Sequence, residues 1–273
     1  MAKSFNLLDT PIRKTPLTTN KGILTPNPGQ ANAQDIHAYQ TRIGSAIYAT
    51  TITRADSALG SNTLAGFMLN PSPTQARAID QLVKYLYDTR FLAIKYSLAQ
   101  FDSIKPEFRC STDAAFGDIP DTRKSTEGYL FKLFGSPIDW KSTKQKLVTK
   151  SSTEAELVAL SHASTEIYWW RRFFTQINLE LEDYQVECDN QQTIRLLTTP
   201  AIKLATKVKH IDIHHHWLRQ EVQDQRLFLK WIPTNSMPAD GFTKPLPIQK
   251  HNAFIKQLGL VDIQHLIQST DSN

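Results

Sequence analysis

Features of membrane, secreted and disulfide-stabilised proteins are scarce in this 273-residue sequence. It contains two cysteines, Cys110 and Cys188, which are too few for a disulfide framework and indicate a reducing compartment. No run of roughly 18 apolar residues is present, so no transmembrane helix is expected. The N-terminal stretch MAKSFNLLDTPIRK lacks the apolar core of a signal peptide. With 40% hydrophobic and 21% charged residues, the composition is that of a globular protein.

The net charge of +5 is unevenly distributed along the chain. Residues 1–109 carry 12 basic and 7 acidic side chains, whereas residues 110–273 carry 19 of each. Within that neutral part, residues 121–150 hold 7 basic and 3 acidic side chains. A basic segment of this kind suits the binding of phosphates, but a solvated lysine face explains it equally well.

The first part of the chain is expected to form an arm followed by helices. Residues 1–34 are rich in Pro, Thr and Asn and show no sustained period, which predicts a flexible arm. Three helix-like stretches follow, DIHAYQTRIGSAIYATT, RADSALGSNTLAGFML and SPTQARAIDQLVKYLYDTR, the last with Ser72 as its N-cap. They predict a small three-helix unit, which ends in a strand, FLAIKYS.

From residue 108 the pattern changes to strands and helices. FRCSTDAAFG, EGYLFKLFG and PIDWKST predict three strands, and a long helix follows from Ser152 to Ile177. YQVECDN and RLFLKWIPT predict two further strands, and helices are expected at NQQTIRLL, at the histidine-rich stretch and after Pro238. A strand meander, a helix and then strand–helix–strand predict an α/β domain with a mixed five-stranded sheet flanked by helices.

Two acids fall at the ends of strands that we expect to be neighbours. Asp113 ends the first strand of the sheet and Asp189 ends the fourth, so both should lie at one edge. Cys110 and Cys188 stand at odd offsets from these acids, which predicts that both cysteines face the opposite side as small core residues.

The long helix supplies a third acid, Glu156. Its predicted buried stripe runs through Leu160, Ala163, Ile167, Trp170, Phe174 and Ile177. Extending this stripe back by four residues leads to Glu156, so its side chain should point towards the sheet. Glu154 has a structural explanation, since Ser151 and Glu154 fit a capping box, and Thr153 with Glu156 fits one as well.

A fourth acid, Asp240, follows the last strand of the sheet. By itself it is explained equally well as an acid at a helix N-terminus. Together, however, four acids would converge at one end of the sheet: Asp113, Glu156, Asp189 and Asp240. Their mutual repulsion favours a bound cation, and oxygen-only ligands select Mg²⁺ or Mn²⁺ over Zn²⁺.

Several ordered motifs resemble a known family. STDAAFGD, RKSTEGYLFKLFGSPIDWKSTKQ, SSTEAELVALSHA, CDNQQTI, TKVKHIDIHHHWLRQE and ADGFTKPLP resemble the C-terminal ribonuclease H region of copia-type LTR-retrotransposon Pol polyproteins. AYQTRIGSAIYATTITRADSALG resembles the end of the reverse transcriptase of the same polyprotein. The resemblance implies a reverse-transcriptase thumb or connection region at residues 35–107, a ribonuclease H-like domain at 108–262 and a tail at 263–273.

The resemblance also implies an activity and its cofactor. Asp113, Glu156, Asp189 and Asp240 match the family's Asp-Glu-Asp-Asp site, which hydrolyses the RNA strand of an RNA–DNA hybrid with two Mg²⁺ ions, Mn²⁺ being a possible substitute. One ion would activate the attacking water and the other would stabilise the leaving oxygen, with Asp113 bridging both.

Contacts to the hybrid are expected from two groups of side chains. Asn190 and Gln191 are placed to contact 2′-hydroxyls, which distinguish RNA from DNA. Backbone phosphates would be held by Arg123, Lys124, Ser125, Lys144 and Lys146.

The sequence also departs from the family. The Tyr-x-Asp-Asp motif of the reverse transcriptase palm is missing, so no polymerase activity is expected. TRADSA stands where the family has Thr-Arg-Pro-Asp, which indicates drift. Further partners would be the palm and the integrase of the intact element, in cytoplasmic virus-like particles and in the nucleus, and no membrane is implied.

The stretch HIDIHHH, from His210 to His216, matches a family segment that we expect to be a helix beside the nuclease core. His210 and His214 stand four residues apart and could face one metal ion, but no HExxH motif and no nearby cysteine supports a zinc site. The prediction is instead that His210 and His216 contact nucleic acid. Inward packing is expected for Ile211, His215, Leu218 and Val222.

Two other functions compete with a ribonuclease H. A nucleic-acid-binding remnant with the same fold but no turnover would show the same motifs. A DDE-type integrase shares the fold, but its second acid does not lie in the helix after the third strand.

Overall fold

The computed structural model describes residues 1–96, 107–179, 181, 183–199 and 209–270, without the side chains of 21, 209–211 and 268–270. The chain forms two compact units. The first comprises Met1–Lys95 together with Lys244–Asn273, and the second comprises Tyr96–Thr243. Among the described residues, no helix combines the length and the apolar character needed to cross a membrane.

The first unit contains the three expected helices. They are α1 (Ala33–Ile52), α2 (Ala58–Ala65) and α3 (Pro73–Asp88). The cap at the start of α3 is confirmed, since the Ser72 hydroxyl accepts a hydrogen bond from the Gln75 amide and the Gln75 side chain accepts one from the Ser72 amide. Sequence signals within a few residues therefore set where this helix begins.

Residues 1–34 were expected to form a flexible arm, but part of this segment packs into the core of the first unit. Ala2, Leu7 and Leu17 are buried and join the cluster formed by the three helices. Packing against the helices removes the apolar surface of these residues from water, and a proline-rich composition does not prevent such packing.

The C-terminal part of the chain also belongs to the first unit. Strand β1 (Leu92–Ile94) pairs antiparallel with β7 (Leu260–Asp262). The helices α8 (Ile248–Gln257) and α9 (Gln264–Thr270) flank β7 in sequence. Residues 108–262 were expected to form one domain, whereas the residues from Lys244 onward belong to the first compact unit of the structure.

A buried polar network lies within the first unit. Arg54 donates two hydrogen bonds to the Asp56 carboxylate, at 2.9 and 2.7 Å. The Tyr85 hydroxyl donates to the same carboxylate and lies 2.8 Å from Nε2 of His251. Arg54 and Asp56 of the TRADSA motif thus have a structural role, because their buried charges are paired with each other.

The second unit is built on a mixed five-stranded sheet in the order β4-β3-β2-β5-β6. The strands are β2 (Phe108–Ala115), β3 (Thr126–Leu133), β4 (Ser136–Lys144), β5 (Tyr184–Cys188) and β6 (Phe228–Trp231). The first three form an antiparallel meander, and β5 and β6 run parallel to β2. This arrangement confirms the expected α/β fold with a mixed five-stranded sheet.

Helices cover this sheet. They are α4 (Ser152–Gln176), α5 (Gln191–Thr198), α6 (Lys209–Gln223) and the short α7 (Asp240–Thr243). The apolar stripe of α4 packs on the sheet, where both cysteines are buried as expected. Ile177 was expected to continue the stripe but is 52% exposed, because it lies one residue beyond the end of α4.

Candidate metal centre

Asp113 lies on β2 and Asp189 directly follows the neighbouring parallel strand β5, as the sequence predicted. The register of β2 and β5 pairs Ser111 with Glu187, so two residues further on Asp113 lies opposite Asp189. Asp113 is 1% exposed and lies within β2, whereas Asp189 follows the last residue of β5. The Trp231 indole donates a hydrogen bond to the Asp189 carbonyl at 3.0 Å, which helps to hold this strand end in place.

Asp240 is brought to the same place by the packing of α7 on the sheet. Gly128 is the cross-strand partner of Asp113, and Phe242 of α7 packs directly on it. A Cβ at position 128 would lie 2.4 Å from the Cβ of Phe242, so only glycine permits this approach. The Ser142 hydroxyl donates to the Phe242 carbonyl at 2.6 Å and fixes α7 further.

These contacts assemble three carboxylates. Asp113, Asp189 and Asp240 each offer an oxygen atom, and the three atoms lie within 4.8 Å of one another. Thr243, one turn after Asp240, donates a hydrogen bond from its buried hydroxyl to Oδ2 of Asp113. This contact gave no signal in the sequence, because 130 residues separate its partners.

Glu156 enters from α4 and joins the site through Asp189. Its side chain is 6% exposed, and its carboxylate lies within 4.8 Å of the Asp189 carboxylate and of the Cys188 sulfur. The start of α4 is capped by Ser151, whose hydroxyl accepts a hydrogen bond from the Glu154 amide at 3.2 Å. The Glu154 carboxylate accepts from the Lys150 amide at 2.7 Å, one residue before the position that a capping box requires.

The position of Cys188 corrects one expectation. Both cysteines were expected on the face opposite the acids, yet the Cys188 sulfur lies beside Glu156 and Asp189. Asp189 lies beyond the end of β5, where strand alternation no longer applies, and Glu156 approaches from the helix-covered face. Burial, and after it the charges of Glu156, Asp189 and Asp113, raise the pKa of the Cys188 thiol, which is therefore neutral at pH 7.

The donor set fits a hard divalent cation. Asp189 lies close to Asp113 and Asp240 on one side and to Glu156 and Cys188 on the other, so the four predicted acids converge around it. Carboxylate oxygens at this spacing repel one another unless positive charge lies between them, and an oxygen-only set suits Mg²⁺ or Mn²⁺. The arrangement can hold divalent cations at the edge of the sheet.

Comparison with known proteins places this chain in a family. It is 34% identical over 222 residues, 81% of its length, to the retrovirus-related Pol polyprotein from transposon TNT 1-94 of Nicotiana tabacum. It is 29% identical over 256 residues, 93% of its length, to the Pol polyprotein from transposon RE2 of Arabidopsis thaliana. The chain belongs to the copia-type retrotransposon Pol polyproteins. It spans only 16% and 17% of these two relatives, so it corresponds to a segment of them.

No protein-family model matches the Pol segment. Among solved structures, LC11-RNase H1 in complex with an RNA/DNA hybrid aligns with 50% of the segment and with 94% of its own chain. The sequence identity of this alignment is 14% and its TM-score is 0.39.

Most of the expected phosphate contacts of the Pol segment are accessible, but one is not. Arg123, Lys144 and Lys146 are exposed, and Lys124 is half-buried. Ser125 is 0% exposed, and its hydroxyl accepts a hydrogen bond from the Gly117 amide at 3.1 Å. The expectation that Ser125 holds a phosphate is therefore wrong, because this side chain is used inside the fold.

Of the two residues expected to contact 2′-hydroxyls, one is exposed and the other also caps a helix. Gln191 is exposed at the start of α5. The side-chain oxygen Oδ1 of Asn190 accepts a hydrogen bond from the Thr193 amide at 3.0 Å and caps α5. Asn190 thus has a structural role beside any contact with substrate.

The histidine-rich stretch forms α6, as expected. His215 and Leu218 are buried and Val222 packs against the core, while the side chains of His210 and Ile211 lie outside the described residues. His216 is exposed and lies 3.4 Å from the Asp212 carboxylate.

Proposed function

We propose that this Pol segment is a divalent-metal-dependent ribonuclease H that hydrolyses the RNA strand of RNA–DNA hybrids. The observation that carries the proposal is the convergence of Asp113 of β2, Asp189 after β5 and Asp240 of α7, with Glu156 joined to them through Asp189. In the intact polyprotein, the reverse transcriptase palm and the integrase would be its partners.

These four acids would hold the metal ions. Bound Mg²⁺ or Mn²⁺ would supply an activated water and would neutralise charge on the leaving oxygen. The Thr243 hydroxyl orients the Asp113 carboxylate towards its neighbours, and the contact between Phe242 and Gly128 keeps Asp240 at the site. The residues of the second unit thus fix the carboxylates before substrate arrives, as a site of this kind requires.

Lys144 and Lys146 are positioned to hold the hybrid beside these acids. The register pairs Ala115 with Thr126 and Thr126 with Lys144, so Lys144 lies two strands away from the end of β2. Two strand spacings correspond to about 10 Å, which is within the width of a nucleic acid duplex. Both lysines are exposed and can contact phosphates.

Cleavage of a labelled RNA–DNA hybrid by the EDTA-treated protein tests the activity. Addition of Mg²⁺ or Mn²⁺ should restore cleavage of the RNA strand, because the site offers only oxygen ligands. A DNA duplex of the same sequence is the matched control and should stay intact. Binding of the hybrid without cleavage in either metal would instead identify a nucleic-acid-binding protein without turnover.

Replacing both lysines tests the substrate path. Lys144→Gln/Lys146→Gln should weaken hybrid binding and lower the slope of log affinity against log salt by about 2, while saturated turnover is retained. Arg172→Gln is the control, because this exposed residue lies 16 positions, roughly 24 Å, along α4 from Glu156. An unchanged salt slope in the double variant would contradict the proposal that these lysines contact the hybrid.

A further inference from the structure

Helix α6 carries a second group of metal-binding side chains that shares no residue with the carboxylate site. Asp212, His215 and His216 each offer one ligand atom, and these atoms lie within 4.8 Å of one another. Asp212 precedes the histidines by three and four residues, which places it about 60° and 40° around the helix from them. Because helical side chains lean towards the N-terminus, both imidazoles are directed back towards Asp212.

His215 has the properties of a ligand rather than those of a core residue. Its side chain is 0% exposed, yet neither ring nitrogen makes a hydrogen bond. Buried polar atoms almost always have a partner, so this imidazole needs an explanation. A metal ion bound to a ring nitrogen would supply the missing partner.

We propose that Asp212, His215 and His216 bind a transition-metal ion of the Zn²⁺ type, with water completing its coordination. Two imidazoles and one carboxylate are a common ligand set for Zn²⁺ and a poor one for Mg²⁺. His216 then serves this ion and not the nucleic acid backbone. The bound ion would stabilise α6, since it would bind the folded helix and not the unfolded chain.

The other pair considered in the sequence, His210 and His214, is less suited to bind a metal ion. His214 is used elsewhere, because its Nδ1 lies 2.6 Å from the Ser161 hydroxyl and its ring packs edge-on against His162. His214→Ala is therefore a matched control: it removes a histidine from the same helix and leaves the proposed group intact.

Titration of the full chain with Zn²⁺ in excess Mg²⁺, which occupies the carboxylate site, tests the proposal. Calorimetry should show one Zn²⁺ site, and Zn²⁺ should raise the melting temperature. Asp212→Asn and His216→Ala change exposed or half-buried positions and should fold. Each should weaken Zn²⁺ binding by at least about tenfold and abolish the rise in melting temperature.

His214→Ala should retain the affinity of the parent chain for Zn²⁺. In a long-range ¹H–¹⁵N spectrum of the imidazoles, Zn²⁺ should shift the ring signals of His215 and His216. Loss of binding in His214→Ala, or unchanged binding in both Asp212→Asn and His216→Ala, would overturn the proposal.

Discussion

At the scale of single residues, Glu154 and Glu156 stand two positions apart in α4 and have different surroundings. Glu156 is buried beside Asp189, whereas Glu154 accepts a hydrogen bond from the Lys150 amide at the helix start. We expect Glu156→Gln to cut RNA cleavage by roughly two orders of magnitude or more, because it removes a charge that faces the metal. Its stability should be unchanged or higher, since one of several repelling charges is removed.

Glu154→Gln is the matched control. Glutamine can accept the same hydrogen bond, so cleavage should stay within a few-fold and stability should fall by less than about 1 kcal/mol. Cleavage assays and urea unfolding of both variants measure these effects. The assignment of Glu156 fails if the control loses cleavage and Glu156→Gln does not.

Thr243 offers a test of how the Asp113 carboxylate is oriented. Its hydroxyl donates to Asp113, and valine has the same shape but no hydroxyl. We expect Thr243→Val to raise the Mg²⁺ concentration needed for half-maximal cleavage by about 10-fold, as is typical when a group that orients a metal ligand is removed. Direct binding of Mn²⁺ measured by calorimetry should weaken in parallel.

Thr243→Ser keeps the hydroxyl and should behave nearly as the parent protein does. If serine and valine have the same effect, packing of the methyl group and not the hydrogen bond is what matters at this position.

At the scale of elements, the docking of α7 on β3 depends on Gly128. Alanine at this position would place its Cβ 2.4 Å from the Cβ of Phe242, and neither atom can move without its backbone. We expect Gly128→Ala to lower the free energy of unfolding of the second unit by about 1–3 kcal/mol. Cleavage should fall further than the loss of stability by itself explains, because displacement of α7 moves Asp240 and Thr243 together.

Gly44→Ala in α1 is a suitable control. No atom lies within 4 Å of the position of its added Cβ, and alanine favours a helix by about 1 kcal/mol over glycine. Unfolding followed by tryptophan fluorescence measures Gly128→Ala, since Trp140, Trp169, Trp170, Trp217 and Trp231 all belong to the second unit. Full activity of Gly128→Ala would contradict this role for the close approach.

At the scale of the whole molecule, the stability of the first unit should depend on pH through His251. Burial lowers the pKa of His251 from 6.5 to about 4; the negative charge of Asp56 opposes this shift and the positive charge of Arg54 adds to it. The unfolded chain therefore binds a proton between these values that the folded unit does not bind. Stability is full above pH 6.5 and falls as the pH is lowered towards 4, by up to roughly 3 kcal/mol.

Asp56 adds a loss at lower pH. Burial raises the pKa of Asp56, but the charge and hydrogen bonds of Arg54, together with Tyr85, bring it below its usual range. Hydrogen exchange of the α3 amides between pH 7 and 4 measures the free energy of unfolding of the first unit. His251→Gln can still bond to Tyr85 and should flatten the dependence between pH 6.5 and 4; an unchanged slope would exclude His251 as its source.

The sequence by itself determined the features that depend on neighbours a few residues away. The Ser72 cap, the periodic stripe of α4 and the strand pattern of the sheet follow from hydrogen bonds and side-chain spacing within single elements. The convergence of the four acids was predictable as well, because strand ends and one helix face place them at a common edge.

Only the tertiary structure decided the features that join distant parts of the chain. The pairing of β1 with β7, the contact of Gly128 with Phe242 and the bond from Thr243 to Asp113 left no local signal. Such contacts depend on which surfaces exclude water against each other and on which buried polar atoms find partners. Residues more than 100 positions apart meet only after the units have folded, so no sequence period can encode their distance.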